Sequence, residues 1–238
     1  MSEKLNSCKV WTRFESKQSD GSVLKLKIQD LPVERQDEAI EFLVEHCVNE
    51  EAFQVAAGIG SNQEAIEEYK ALFKGIIETP ETMPIMCCLD DPNVVGQIIG
   101  LSIMAVTKNT DKLKDRIHKM EIKTDEMKKL FHILIVLEDH IGDVPFETSY
   151  EGRVISVHRD YRGLGLATEF VRVRATVCAE QKIPVTKAWM TAIGTQKAAE
   201  NNNWNTFYEI SLEEMDKITG LTFEKKLKSF KLMYKSID

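Results

Sequence analysis

The N-terminal part of the chain follows the apolar and polar patterns of strands and helices. Lys9–Phe14 and Val23–Ile28 alternate with a period of two, which predicts two strands joined by a hairpin turn at Asp20-Gly21. Apolar residues recur at helical spacing over Val33–Val48, and again from Asn62, a predicted N-cap, to Glu78. The chain is therefore expected to begin with a hairpin and two helices.

A second hairpin and a helical segment are predicted next. Met83–Leu89 and Val94–Val106 have strand patterns, and Asp90–Asn93 between them is typical of a turn. The pattern changes over residues 107–149, where apolar spacing predicts two helices, the second capped by Thr124. We interpret residues 107–149 as an insertion within one domain that spans 1–238.

The C-terminal half begins with a strand–loop–helix–strand unit. Its strands should pair in parallel through a right-handed crossover. A short helix from Thr195, ended by asparagines that tolerate the left-handed conformation, and two final strands follow. The segments are Arg153–His158, Arg159–Gly163, Leu164–Gln181, Lys187–Thr191, Asn201–Asn203, Asn205–Leu212 and Ser229–Ile237. The whole order predicts an α/β (α+β) fold with a mixed central sheet flanked by helices.

Composition narrows the class of protein. With 238 residues, 43% of them hydrophobic, the chain is expected to be globular, and its net charge of −7 argues against nonspecific nucleic-acid binding. The longest apolar run, Phe131–Leu137, is far too short to cross a membrane, and Met1–Ser7 lacks the apolar stretch of a signal peptide. Five cysteines without CxxC spacing suggest reduced, buried thiols in a cytoplasmic protein. The oligomeric state is not specified by these features.

The segment Val154–Thr168 has the pattern of an anion site. A strand leads into a loop rich in Arg and Gly, and the loop opens a helix whose first amides have no helical partners. Gly163 and Gly165 lack the Cβ atoms that would obstruct a ligand. Residues 153–187 carry a net charge of +4, and the rest of the chain carries −11. These features predict a phosphate cradle that is neither a Walker loop nor a Rossmann loop, although a tight turn with solvated arginines would share the pattern.

Within this segment, Arg162-Gly163-Leu164-Gly165-Leu166-Ala167 resembles the Arg/Gln-x-x-Gly-x-Gly/Ala motif of the GNAT acyltransferases. The strand order is also similar, and the resemblance covers nearly the whole chain. Among GNAT proteins it is most like the insect arylalkylamine N-acyltransferases, which share the acidic segment after the first helix, the helical insertion and a later hydroxyl pair. The resemblance implies a GNAT fold, with acetyl-CoA as cosubstrate and without a metal.

The resemblance also implies the site residues. The family's catalytic base aligns with Glu51, with Glu50 one residue away, and the hydroxyl pair aligns with Thr191 and Thr195. Solvated acids at a helix end, or threonines at a strand end and an N-cap, would have the same sequence pattern. Backbone groups of Ser156, Val157 and His158 would align the pantetheine arm. The pyrophosphate would lie on the amides of Arg162, Gly163, Leu164, Gly165, Leu166, Ala167 and Thr168.

The implied activity is transfer of an acetyl (acyl) group from acyl-CoA to the primary amine of a biogenic arylalkylamine, by direct attack in a ternary complex. The expected partners are these two small molecules, and neither nucleic acid nor membrane. The alternatives are a polyamine, agmatine or long-chain amine as acceptor, or a non-catalytic acyl-CoA-binding module. The tyrosine that many GNAT enzymes use as general acid is replaced in Ala199–Asn203, so no general acid is assigned. The histidines show no metal-binding spacing.

Overall fold

The computed structural model describes residues 8–18, 20–91 and 96–237. These residues form an eight-stranded sheet in the order β1-β2-β3-β4-β5-β6-β8-β7. Only β5 and β6 pair in parallel; the other neighbouring strands are antiparallel. The strands are β1 Val10–Lys17, β2 Val23–Asp30, β3 Thr82–Leu89, β4 Gly100–Lys108, β5 Thr148–Val157, β6 Val185–Met190, β7 Asn205–Ser211 and β8 Ser229–Ser236. The predicted mixed sheet is therefore confirmed.

Both predicted N-terminal hairpins are present. Strands β1 and β2 pair around the turn at Gly21, which has a φ of +87°, and β3 pairs with β4. Strand β4 begins only at Gly100, where an added Cβ would lie 2.7 Å from the ring of Phe170, so this glycine allows the helix that holds Phe170 to pack closely on the sheet. Residues 92–95 of the predicted turn and strand, and Met1–Ser7, lie outside the described residues.

The described helices largely match the predicted ones. Asn62 caps α3, and Thr124 caps α5, as predicted. The first predicted helix begins with a 3-10 turn at Val33–Arg35 and ends at His46, two residues before its predicted end. The helices are α1 Gln36–His46, α2 Ala52–Ala57, α3 Gln63–Glu78, α4 Leu113–Ile117, α5 Asp125–Ile141, α6 Leu166–Gln181, α7 Ile193–Asn201 and α8 Leu212–Thr219.

Helices α2 and α8 were missed in the sequence. Helix α2 has only six residues, too few for an apolar period to be visible. Helix α8 did have a signal, since Ser211 accepts a hydrogen bond from the Glu214 amide and Gly220 ends the helix in the left-handed conformation. This capping pattern was hidden because the strand pattern of β7 runs directly into it.

The sheet separates two layers of helices. Helices α1, α2, α3, α5 and α8 contribute to a large core on one face, and the motif helix α6 packs on the other face against residues of β2, β3 and β4. The two helices of the insertion lie between β4 and β5 and pack on the first layer, with α5 against α2 and α3. In the described part of the chain, each helix is too short or too polar to cross a membrane.

Candidate active site

The site lies where β5 and β6 separate. Their parallel pairing covers only Tyr150 with Thr186 and Glu151 with Lys187. Beyond these pairs the strands diverge, and a cleft of about 1030 Å³ opens that is lined by both strands, the loop after β5, and helices of the first layer. Both Ile155 on β5 and Thr191 after β6 line this cleft.

The β4–β5 ladder determines which backbone groups of β5 face this cleft. The His158 N–H donates to the Ile99 carbonyl at 3.0 Å, on the β4 side. Because N–H groups of successive strand residues point to opposite sides, Ser156 also faces β4, whereas Ile155 and Val157 face the cleft. The backbone N–H groups of Ser156 and His158 are thus directed at β4, and their predicted role in aligning the pantetheine arm stays a prediction. Of the three predicted residues, only Val157 has its N–H on the cleft side.

The loop after β5 presents a row of free amides. Gly163 and Gly165 have φ values of +80° and +84°, and Gly165 is the N-cap of α6, so the helix begins two residues later than predicted. Within the described part of the chain, the N–H groups of residues 163–168 have no hydrogen-bond acceptor. The Ser16 hydroxyl of β1 holds the loop from behind by donating to the Leu164 carbonyl at 2.8 Å. The predicted cradle residues thus converge on one concave backbone surface.

The arginines of the loop fix it to the first layer of helices. Arg162 donates through Nε to the Val157 carbonyl at 3.1 Å and through Nη2 to the His46 carbonyl at 3.3 Å. Its Nη1 pairs with the carboxylate of Glu50, and Arg159 reaches the same carboxylate at 3.3 Å. Glu50 therefore serves as the anionic partner of the loop.

Glu51 has a different environment from its neighbour. Its Oε2 caps α2 by accepting from the amides of Phe53 and Gln54 at 3.0 and 3.1 Å. Its Oε1 accepts from the Thr191 hydroxyl at 2.7 Å. Burial raises the pKa of the Glu51 carboxyl, although these hydrogen bonds favour the charged form. The structure thus brings Glu51 and Thr191 together in the cleft.

Thr195 lines the cleft but does not join this pair. It is the third residue of α7, and its hydroxyl donates to the Ala192 carbonyl at 2.9 Å. The N-cap position that the alternative interpretation gave to Thr195 belongs to Ala192. The two predicted hydroxyls therefore have separate partners.

Solved structures of acetyltransferases superpose on this architecture. A protein of the mosquito Aedes aegypti provisionally named arylalkylamine N-acetyltransferase 7 matches with a TM-score of 0.80 at 20% identity, covering 98% of this chain and 96% of that one. Arylalkylamine N-acetyltransferase 2 of Aedes aegypti gives 0.69 at 21% identity, covering 90% and 99%. Polyamine N-acetyltransferase of Drosophila melanogaster, which forms N-acetylagmatine, gives 0.69 at 12% identity, covering 89% and 100%.

The chain has the GNAT acetyltransferase fold. This confirms the fold predicted from the Arg162–Ala167 motif and the strand order. Comparison with family models gives no match, and comparison with curated protein sequences gives none either.

The cleft of this chain also contains two buried polar groups, on Gln54 and Tyr69, that the sequence did not reveal. Among the described residues, the Tyr69 hydroxyl and Gln54 Oε1 are buried without a hydrogen-bond partner, and both residues line the cleft. The nearby Cys47 thiol has a pKa raised to about 12 by burial, so it stays neutral. The helical spacing of Tyr69 indicated only a core position. Nothing local in the sequence shows that its hydroxyl lies near Glu51.

Two histidines, one at the end of α1 and one after β5, are in contact with their rings tilted by 49°. The rings of His46 and His158 have centroids 4.2 Å apart, and Nδ1 of buried His46 has no partner among the described residues. Burial, followed by the charge of His158, lowers the pKa of His46. His46 is therefore neutral near pH 7, which makes it a poor proton donor.

Proposed function

We propose that this protein is an acyl-CoA-dependent N-acetyltransferase that acts on the primary amine of an arylalkylamine. The observation that carries the proposal is the half-buried Glu51 carboxylate, which lines the cleft and accepts a hydrogen bond from Thr191. The mosquito and fly structures that share the fold, named as arylalkylamine and polyamine acetyltransferases, support this class of reaction.

The donor side of the cleft fits acetyl-CoA. Six free amides at the start of α6, together with the positive end of its helix dipole, suit a pyrophosphate. Arg159 and Arg162 add positive charge beside them, while Glu50 holds both side chains in place. The open strand edge of β5 offers the N–H groups of Ile155 and Val157 to an extended pantetheine arm. Acetyl-CoA supplies the activated thioester.

Glu51 would act as the base. An alkylamine with a pKa of about 10 is almost fully protonated at pH 7 and cannot attack a thioester until it loses a proton. A carboxylate with a raised pKa accepts that proton more readily than an ordinary one. As the neutral amine attacks, negative charge develops on the thioester oxygen, and the Ile155 N–H on the cleft side of β5 would stabilise it. The thiolate then departs, and the proton that the nitrogen loses on forming the amide ends on the CoA sulfur, so the products are the N-acetyl amine and free CoA thiol.

The acceptor side of the cleft favours an aromatic or other apolar amine. Beyond Glu51 its wall is formed by α2, α3 and the insertion helix α5. The apolar lining residues there are Phe53, Leu72, Phe73, Ile76, Leu130, Phe131 and Leu134. Such a wall gains free energy by burying a ring, at about 25 cal/mol for each Å² removed from water.

The test is release of free thiol from acetyl-CoA with a panel of amines that includes tryptamine, dopamine, serotonin, putrescine and agmatine. We expect turnover with the aromatic amines and about a 100-fold loss in Glu51→Gln. Glu78→Gln, an exposed position at the end of α3, is the matched control and should keep full activity. Acetyl-CoA binding without turnover of any amine would instead indicate a non-catalytic binding module.

A polyamine or agmatine is the second candidate acceptor. Glu81 and Asp111 line the outer part of the cleft, and neither forms an ion pair with another described residue. These carboxylates could receive the distal cation of a diamine. Competition between tryptamine and putrescine at equal concentration separates the two substrates, and loss of putrescine turnover alone in Glu81→Gln would favour the diamine.

A further inference from the structure

The motif helix α6 carries a buried arginine under the cleft. Arg174 is only 1% exposed, and it lines the cleft near the last paired residues of β5 and β6. Its Nε donates to the Ser102 hydroxyl at 3.1 Å, and its Nη2 donates to the Val154 carbonyl at 2.9 Å. No carboxylate in the described part of the chain pairs with it, and the neighbouring Cys178 thiol, whose pKa burial raises to about 12, stays neutral at pH 7.

The surrounding backbone is adapted to this side chain. A Cβ on Gly152 would lie 2.1 Å from Nη1 of Arg174, so only glycine fits there. The β4–β5 register shifts between Ile103 and Met104, which leaves Arg153 as an extra residue and interrupts the ladder beside Val154. Arg174 thus reaches the Val154 carbonyl at a bulge.

Burying a cation without an anionic partner costs free energy, so the location of Arg174 needs a physical explanation. Burial lowers the pKa of Arg174 to about 10, which still leaves the guanidinium charged at pH 7. Apolar side chains could fill the same space, and the same helix keeps Arg172 at the surface, paired with Glu169. The positive charge of Arg174 is therefore a specific feature of this location.

The hydrogen bond from Arg174 connects this charge to the reaction centre. The Val154 carbonyl and the Ile155 N–H belong to one trans peptide unit and point in opposite directions. Arg174 donates to the carbonyl, and the N–H at the other end faces the cleft. A charged donor on the carbonyl polarises the peptide and strengthens its N–H as a donor.

We propose that Arg174 is a positioning residue that polarises the Val154–Ile155 peptide, so that the Ile155 N–H better stabilises negative charge on the thioester oxygen. The inference rests on the proposed function. It adds a residue that touches neither substrate and acts through one peptide unit.

The test compares Arg174→Gln, which keeps a hydrogen-bond donor but loses the charge, with Arg174→Lys, which keeps the charge. Arg172→Gln on the same helix is the exposed control. We expect kcat to fall about tenfold or more in Arg174→Gln with little change in KM for acetyl-CoA, and part of the loss to be restored in Arg174→Lys. Arg172→Gln should match the wild type.

Infrared spectroscopy of bound acetyl-CoA with a ¹³C-labelled thioester carbonyl measures the polarisation of that carbonyl directly. The wavenumber of its band would not change if Arg174 only stabilised the fold. We expect the carbonyl band to shift to higher wavenumber in Arg174→Gln, because the carbonyl is less polarised. Ser102→Ala, which removes the Nε acceptor and keeps the charge, should leave the band near its wild-type position. If Arg174→Gln does not fold, Ser102→Ala still tests the inference. A large shift of the carbonyl band in Ser102→Ala, where the charge of Arg174 is kept, would contradict it.

An unchanged band and an unchanged kcat in folded Arg174→Gln would overturn the role of Arg174. The infrared measurement needs no amine, so it separates the two hypotheses. If no amine is acetylated and the band still shifts, the proposed function fails while the polarisation by Arg174 stands.

Discussion

The two sides of the cleft are built in different ways. The cradle uses consecutive backbone amides of one loop, held by the side chains of Ser16 and Glu50. The acceptor side uses side chains that are distant in sequence, such as Glu51 and Thr191, whose hydrogen bond joins residues 140 positions apart. The cradle is local in sequence, so it suits the part of a ligand that is common to all acyl-CoA molecules, if the proposed function holds. The acceptor wall is assembled from several helices, and it can change its substrate without changing the fold.

Adjacent residues show this difference most directly. Glu50 pairs with the loop arginines, whereas the half-buried Glu51 accepts hydrogen bonds from Thr191 and the first amides of α2. We expect Glu51→Gln to lower kcat about 100-fold, a loss of about 2.7 kcal/mol in transition-state stabilisation, with KM for acetyl-CoA nearly unchanged. Glu50→Gln should instead raise KM for acetyl-CoA a few-fold and leave kcat near wild type. Steady-state kinetics of both variants decide between these roles, and exchanged phenotypes would make Glu50 the base.

Substitution of Gly165 in the cradle is expected to have the next largest effect, on acetyl-CoA affinity and on stability. Gly165 needs a positive φ, so Gly165→Ala should cost about 1 kcal/mol and weaken acetyl-CoA binding about fivefold. Calorimetric titration of acetyl-CoA measures the loss, and thermal unfolding measures the strain.

The control for this variant is Gly75→Ala in α3. Gly75 is a helical glycine with open space around the added Cβ, so the substitution should stabilise the protein by about 0.5–1 kcal/mol without affecting binding. Equal affinity of wild type and Gly165→Ala for acetyl-CoA would contradict a backbone cradle at this loop.

The sequence predicted the features that depend on neighbouring residues better than those assembled from distant elements. The motif Arg162–Ala167, the caps Asn62 and Thr124 and the strand order depend on neighbouring residues, so they were visible in the sequence. Gln54, Tyr69 and Arg174 gave no such signal, because their environment is created by tertiary packing of elements far apart in the chain. His158 shows the limit within the motif itself: its position at the end of the motif strand was predicted, but the ladder with Ile99 determines where its amide points.

The pH dependence of Glu51 gives the smallest and most specific prediction. Burial raises the pKa of this carboxyl in the folded protein above its unfolded value, so the folded state binds its proton more tightly. The contribution of Glu51 to stability is therefore fully present below the unfolded pKa and is lost as the pH rises through the folded pKa. Activity has the opposite sign, because the base must be ionised, and kcat should rise through the same folded pKa.

Glu51→Gln keeps an oxygen for the α2 amides and cannot ionise. Its unfolding free energy relative to wild type should therefore increase between pH 4 and pH 8, and its residual activity should lose the acidic limb of the pH profile. Urea unfolding at several pH values, beside kcat profiles of both proteins, measures the two signs together. A stability difference that does not change with pH would show that burial does not perturb Glu51, and the acceptor side of the cleft would then lack its activated base.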